Sequence, residues 1–194
     1  MPNEQQPPGP QSGPFADPER RRAAGEQLLR AHDELRRELA GVLAAADGRP
    51  AATPASAAPV SAAPVSAPAL RDLNRHCLAY CASLEDHHRA EDGALGAMER
   101  QFPDLAPAVT RIRDEHRAVT AMLARVRDLA ATPPPAPAAA RPAPAAHPAP
   151  GGPVRAELRA LAARLDAHFA YEERTLLPAL GVPAPPARPA APGP

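Results

Sequence analysis

Apolar residues recur along four segments of the chain at alternating spacings of three and four positions. This spacing places them on one face of an α-helix and is typical of helices that bury a single apolar stripe. The four stripes run through residues 28–42, 70–102, 105–126 and 154–176. Because four such stripes close most simply around one core, the pattern predicts an all-α fold, an antiparallel four-helix bundle.

The distribution of proline sets the limits of these helices, because proline is excluded from helix interiors. All 29 prolines lie outside four windows, 19–49, 69–102, 108–132 and 154–177. The sequence therefore predicts helices at about 18–47, 69–102, 105–131 and 154–177.

Two local signals support this arrangement. The tripeptide Asp17-Pro18-Glu19 is typical of a helix start, with a capping side chain, a proline in the first turn and an acidic residue after it. The tripeptide Phe102-Pro103-Asp104 predicts a tight corner. A corner this short makes the second and third helices antiparallel neighbours.

The remaining segments are rich in proline and alanine and lack the apolar residues that a core needs. We expect disordered tails at 1–16 and 182–194. Semi-extended linkers are expected at 49–67, which carries a short SAAPV repeat, and at 132–153. The intervening part, 17–181, is predicted to form one domain.

Composition narrows the classes of partner. The 194 residues include 22 arginines and no lysine, and 22 acidic residues balance the arginines. Zero net charge gives no reason to expect a nucleic acid or an anionic membrane as a partner. No apolar run approaches the length of a membrane span, and the polar N-terminus has no apolar segment typical of a secretory signal. Two cysteines make no disulfide framework. We therefore expect a cytoplasmic protein with no membrane or nucleic-acid partner.

Six polar residues interrupt the apolar stripes near the middle of the predicted helices. Each stripe carries one histidine, and a glutamate follows two of these four positions later: His32, His87 with Glu91, His116, and His168 with Glu172. Residues four apart lie on one face of a helix, so both members of each pair point into the bundle. Buried carboxylates are costly unless they are paired. A pair of divalent metal ions, bound by imidazole and carboxylate, removes that cost.

The same residues have a structural interpretation that must be weighed. A single histidine on an apolar stripe is more often a hydrogen-bonded core residue than a metal ligand, and one His-x-x-x-Glu pair arises easily by chance. The complete set favours a metal site, because every stripe has its histidine at mid-height and both glutamates point inward.

As a combination these residues resemble the hemerythrin-like, or HHE cation-binding, family, whose pattern is H…HxxxE…H…HxxxE. The local sequences LLRAHDEL, HHRAED, RDEHRAV and HFAYEERTLLPAL are similar to those of that family. The resemblance covers the four helices but not the linkers or tails. It implies a non-haem di-iron site in a four-helix bundle, two iron ions with oxo and carboxylate bridges. By this resemblance Glu91 and Glu172 bridge the ions and the four histidines cap them.

The chain departs from the oxygen-carrying members of that family on two helices. Those members have a second histidine one turn from the first on the third helix, whereas Ile112 and Thr120 flank His116 here. On the last helix they place an aspartate five positions after the histidine, and Glu173 occupies that position as a second candidate ligand. Fewer imidazoles leave an iron position open to water, peroxide or a protein oxygen.

The resemblance therefore implies a small-molecule ligand, namely dioxygen, peroxide or nitric oxide, which the site binds, senses or reacts with. Two alternatives stay open. One is a peroxide-decomposing or oxidase-like di-iron enzyme, and the other is a divalent-metal binding protein without oxygen chemistry. A purely structural bundle is a further possibility, and it predicts that chelation leaves stability unchanged.

For three further residues near the stripes, a structural role is expected rather than a place among the metal ligands. His88 adjoins His87 but is rotated by about 100° from it around the helix, which favours a flanking position or one that supports the ligands from behind. His76 lies about 16 Å along the helix from His87, too far for the same site. It is expected to form a hydrogen bond inside the bundle, with a place in a separate site as the alternative. Tyr80 is expected in the core, with electron donation as the alternative.

Overall fold

The computed structural model describes residues 13–47, 67–131 and 152–186. Within these ranges the chain forms four α-helices and no strand, which confirms the predicted all-α bundle. The helices are α1 (Pro18–Ala46), α2 (Ala67–Gln101), α3 (Ala106–Ala131) and α4 (Gly152–Leu176), with a short 3-10 turn at Pro103–Leu105. Their limits lie within two residues of those predicted from the distribution of proline.

The start of α1 follows its sequence signal. The Asp17 side chain accepts hydrogen bonds from the backbone N–H groups of Glu19 at 2.8 Å and Arg20 at 3.5 Å. Pro18 occupies the first turn, where it displaces no helical hydrogen bond. These bonds satisfy amide groups that have no partner inside the helix.

The four helices pack in a closed ring. Helix α1 contacts α2 and α4, and α3 contacts the same two helices from the opposite side. The buried apolar residues form two clusters. The larger cluster includes Leu84, Leu123 and Leu161, and the smaller one includes Ile112 and Leu176. Between the two clusters lies the level at which polar residues interrupt each apolar stripe.

The chain before α1 packs more closely on the bundle than the sequence predicted. Phe15 falls within the tail expected at 1–16, yet it is buried in the smaller cluster. Arg21 donates a hydrogen bond to the Phe15 carbonyl oxygen at 2.9 Å. The correction has a simple cause, since a phenylalanine gains free energy from burial even inside a proline- and glycine-rich stretch. Residues 1–12 lie outside the described residues.

The chain after α4 needs a similar correction. Val182, the first residue of the tail expected at 182–194, is buried against α1. It fits there because Gly25 has no side chain, and a Cβ at that position would lie 2.7 Å from Val182 Cγ2. Residues 187–194 and most of the two predicted linkers, with the SAAPV repeat, lie outside the described residues.

The outer faces of the helices carry charged pairs three or four positions apart, such as Arg22 with Glu26 and Arg75 with Asp72. Exposed pairs of this kind contribute at most about 1 kcal/mol each to stability. None of the described helices is both long and apolar enough to cross a membrane.

Candidate metal centre

The six residues predicted from the interrupted stripes meet at one level of the bundle, between the two apolar clusters. Four of them are at most 3% exposed: His32, His116, His168 and Glu172. The side chains of His87 and Glu91 are 11% and 13% exposed. Each helix contributes at least one of the six, so all four helices supply polar side chains at this level.

Glu172 lies at the middle of this group. Its Oε2 is 3.2 Å from His32 Nε2, and its Oε1 is 3.3 Å from His116 Nε2. The same Oε1 lies 3.6 Å from His168 Nε2, one helical turn away on α4. One carboxylate therefore faces imidazoles from three helices.

Glu91 occupies a corresponding position on α2. Its Oε1 lies 3.2 Å from His87 Nε2 and 3.5 Å from His32 Nε2. Its Oε2 lies 3.4 Å from His116 Nε2. Like Glu172, it stands between imidazoles on opposite sides of the centre.

His88 lies in the centre as a seventh residue, in contact with two of the predicted ligands and not on the flank of α2. It is 4% exposed. Its ring stacks on that of His116 with centroids 4.1 Å apart, and meets the His168 ring edge-on at 5.3 Å. A bundle helix buries an arc wide enough for two adjacent positions, so His87 and His88 both reach the interior. The spacing of three residues from His88 to Glu91 also places these two on one face of α2.

Three of the histidines are hydrogen-bonded to a carboxylate on the side away from the centre. Nδ1–H donates from His32 to Glu173 at 2.9 Å, from His116 to Asp92 at 3.0 Å and from His168 to Glu115 at 2.9 Å. An ionised carboxylate only accepts hydrogen bonds, so each bond places a proton on Nδ1 and turns Nε2 inward. Carboxylates in this position orient metal-binding imidazoles and raise their basicity.

Glu173 is thereby placed behind His32 rather than at the centre. Its Oε1 also accepts a hydrogen bond from Arg36 at 2.9 Å. Glu173 was open as a second candidate ligand in the sequence, and in the structure it positions a histidine instead.

The buried polar atoms of the centre show whether a cation fits. Ten buried side-chain atoms of the described chain have no hydrogen-bond partner, and eight of them belong to six of the seven centre residues. Imidazole nitrogens and carboxylate oxygens nevertheless lie 3.2–3.6 Å apart here. Ligand atoms held about 2.1 Å from one cation are about 3.0–3.4 Å from each other in octahedral or tetrahedral geometry. The spacing therefore fits atoms that share a cation.

Electrostatics decide the protonation state of the metal-free form. Burial lowers the pKa of His32, but the neighbouring carboxylates of Glu172, Glu173 and Glu91 more than offset this and raise it to about 10. Burial also lowers the pKa of His116, and the neighbouring carboxylates of Glu172 and Glu91 raise it to about 10. Both imidazoles are therefore protonated at neutral pH, and a metal ion must displace their protons.

Two other groups of the centre are already in the form that binds metal. Burial raises the pKa of Glu91, yet the imidazoles of His116, His32 and His87 beside it hold this pKa well below its usual value. Burial, together with the positive charge of His116, lowers the pKa of His88 to about 2. Glu91 is thus ionised and His88 is neutral, as metal ligands must be.

The metal-free protein should lose stability as the pH rises from about 6.5 to about 10. Folding raises the pKa of His32 and His116 from 6.5 to about 10, so the unfolded chain releases two protons that the folded chain retains in this window. The stabilisation that the protonated His32 and His116 provide is complete below pH 6.5 and lost above about pH 10. Urea unfolding in a chelating buffer, followed by far-UV circular dichroism, measures it. A free energy of unfolding that stays constant or rises across the window contradicts the prediction.

Two other residues noted in the sequence lie away from the centre. His76 is exposed on α2, so the expectation of a hydrogen bond inside the bundle was wrong. The interior face of α2 passes through Cys77 instead, which is fully buried. Tyr80 is in the larger cluster as expected, and its buried hydroxyl has no hydrogen-bond partner among the described residues.

Comparison with known proteins identifies one family. The sequence profile described as Hemerythrin HHE cation binding domain matches residues 24–180, which is well over half of the chain and includes every residue of the centre. Neither the curated proteins nor the solved structures gave a match.

Proposed function

Because the chain belongs to the hemerythrin HHE cation-binding family, we propose that its centre holds two iron ions and binds, senses or reacts with dioxygen, peroxide or nitric oxide. One observation carries the proposal. Glu91 and Glu172 each lie within 3.6 Å of imidazole nitrogens from different helices. Carboxylates placed between two groups of imidazoles balance the charge of two neighbouring cations.

The ligand atoms divide into two sets, each with its atoms within 4.8 Å of one another. The first set is His32, His87 and Glu91, with two imidazoles, and the second is His88, His116 and His168, with three. A third group of the same kind, Glu91 with His116 and Glu172, shares one residue with each set and connects them. A small-molecule ligand therefore has most room beside His87, where the protein supplies fewer donors.

The donor atoms are compatible with iron. Nitrogen and carboxylate oxygen suit iron, manganese and zinc, and both cysteines lie in the larger apolar cluster. When bound, iron supplies one-electron redox chemistry and an open position for a small ligand. The protein limits water at this point, because Phe169 stacks on His32 with centroids 4.1 Å apart and the apolar clusters close the centre on both sides.

Metal analysis of protein from iron-supplied cells tests the proposal. We expect about two irons per chain and the near-UV bands of an oxo-bridged iron pair. His88→Ala should lower the content to about one iron per chain, because it removes one of three imidazoles from the second set. His76→Ala, an exposed histidine on the same helix, should keep the wild-type content.

Other outcomes select the alternatives. Zinc or manganese retained in preference to iron indicates cation binding without oxygen chemistry. Peroxide turnover far above that of free iron indicates an enzyme. A wild-type iron content in His88→Ala contradicts the assignment of His88 to the centre.

A further inference from the structure

A cavity of about 200 Å³ lies between α1 and α2, on the side of the centre where donors are fewest. His87 and Glu91 form part of its wall. Much of the remaining wall is apolar, with Leu28, Leu95 and Met98 among its residues. The cavity therefore joins an apolar surface to the half-buried edge of the candidate metal centre.

The cavity exists because small residues face each other across the two helices. Ala24 and Ala31 line it from α1, and Ala90 and Ala94 line it from α2. An alanine side chain ends at Cβ, so the helices leave a gap here that leucines fill in the two clusters. Gln27, which is exposed, adds a polar group to the wall.

The polarity of its wall defines what this cavity can accept. Three polar residues, Gln27, His87 and Glu91, line it, and the other lining residues are apolar. Such a wall offers a charged or strongly polar molecule too few hydrogen-bond partners to replace its hydration. A neutral, apolar molecule does not meet this obstacle.

Volume sets the size of the occupant. A water molecule takes a share of about 30 Å³ in the liquid, so a diatomic molecule leaves most of this cavity empty. An apolar cavity of about 150 Å³ in another protein holds benzene. The cavity described here, at about 200 Å³, opens to solvent beside the exposed Gln27, Ala90 and Ala94 and has room for a ring of that size with a small substituent.

We infer that this cavity is a binding site for a neutral, apolar organic molecule about the size of benzene, held beside His87. Its relation to the metal rests on the proposed function, whereas the binding itself depends on shape and apolar contact. The occupant is thus an organic ligand or substrate next to the position where a small molecule reaches the metal.

Fluorobenzene is a suitable probe, and ¹⁹F NMR titration of the full-length protein measures its binding with and without metal. We expect saturable binding in both forms.

Ala24→Phe fills the cavity and Ala94→Leu narrows it, so each should weaken binding by at least about tenfold, or about 1.4 kcal/mol. Ala23→Phe adds the same ring at the adjacent, exposed position and should leave the affinity unchanged. Metal content and melting curves of each variant are recorded in parallel, and Ala94→Leu carries the test if Ala24→Phe does not fold.

The outcomes separate this inference from the proposed function. Wild-type protein that holds metal but shows no saturable fluorobenzene binding overturns the inference and leaves the function standing. Binding that persists unchanged in folded Ala94→Leu and Ala24→Phe overturns it too, because the probe then binds elsewhere. Protein that binds fluorobenzene in the cavity but takes up no metal supports the inference and contradicts the proposed function.

Discussion

Replacing Glu172 by glutamine should abolish stable metal binding while the four helices still form. Glu172 is fully buried, and its oxygens lie 3.2 Å from His32 Nε2 and 3.3 Å from His116 Nε2. Glutamine keeps the volume of the side chain but removes its charge and one of its two ligand oxygens. Because Glu172 faces both sets of imidazoles, both metal positions lose a ligand. We expect metal affinity to fall by at least about 100-fold, or about 2.7 kcal/mol, in competition with a chelator of known affinity.

Two matched variants on the same part of the chain show whether the effect is specific. Glu173→Gln removes the hydrogen-bond acceptor behind His32, and loss of such a partner costs about 10- to 100-fold in metal affinity. Glu157→Gln removes a carboxylate that pairs with Arg125 near the surface of the bundle, and metal affinity should not change. If Glu173→Gln loses its metal and Glu172→Gln retains it, the two glutamates have been assigned to the wrong positions.

The fold was predictable from the sequence because its signals are local. A proline is excluded from helix interiors wherever it stands, and a 3–4 spacing of apolar residues defines a buried face without reference to other helices. The start at Asp17 is set by its own side chain and the next three residues. Phe15 and Val182 were missed because their burial depends on a surface formed by distant parts of the bundle.

The candidate centre was predictable only in part, and His88 shows why. The sequence of α2 allows two adjacent lines of inward-facing residues along the helix, one through Tyr80 and His87 and another through Cys81 and His88. Tyr80, Cys81 and His88 are buried and His87 is half-buried, so the buried arc includes both lines. The sequence carries a signal for the second line, because Cys81, Leu84, His88 and Glu91 are also spaced by three and four. Spacing alone does not tell how wide the buried arc is.

The carboxylates that orient the histidines had no local signal for that role. Glu173 is 141 positions from His32, Glu115 is 53 from His168, and Asp92 is 24 from His116. Each contact joins two helices and depends on their relative rotation and height. An acidic residue on a helix face is ordinary, so Glu115 and Asp92 could not be distinguished from other acidic residues before the helices were placed. Glu173 stood out in the sequence only as a candidate ligand, and not as the partner of His32.

Removing the bound metal should lower the melting temperature of the wild-type protein by about 8–16 °C. A metal that binds only the folded state stabilises it by about 4 kcal/mol when its free concentration is a thousand times its dissociation constant. In a chain of this size, 1 kcal/mol corresponds to about 2–4 °C. The physical cause is the group of buried nitrogens and oxygens that have no other partner among the described residues. Differential scanning calorimetry before and after treatment with a chelator measures the shift.

Two controls, the pH dependence and the variant Glu172→Gln, distinguish a fall in melting temperature caused by metal loss from a general action of the chelator. Without metal, His32 and His116 take up protons that partly neutralise the carboxylates, because their pKa values are raised to about 10. That compensation weakens as the pH rises, so the difference in melting temperature between the loaded and metal-free forms should widen from neutral pH towards pH 10. Glu172→Gln should melt at the same temperature with and without chelator, since it holds no metal to lose. If the wild-type protein gives up two metal ions and its melting curve does not move, the centre contributes nothing to folding and the buried ligand atoms must be satisfied by other means.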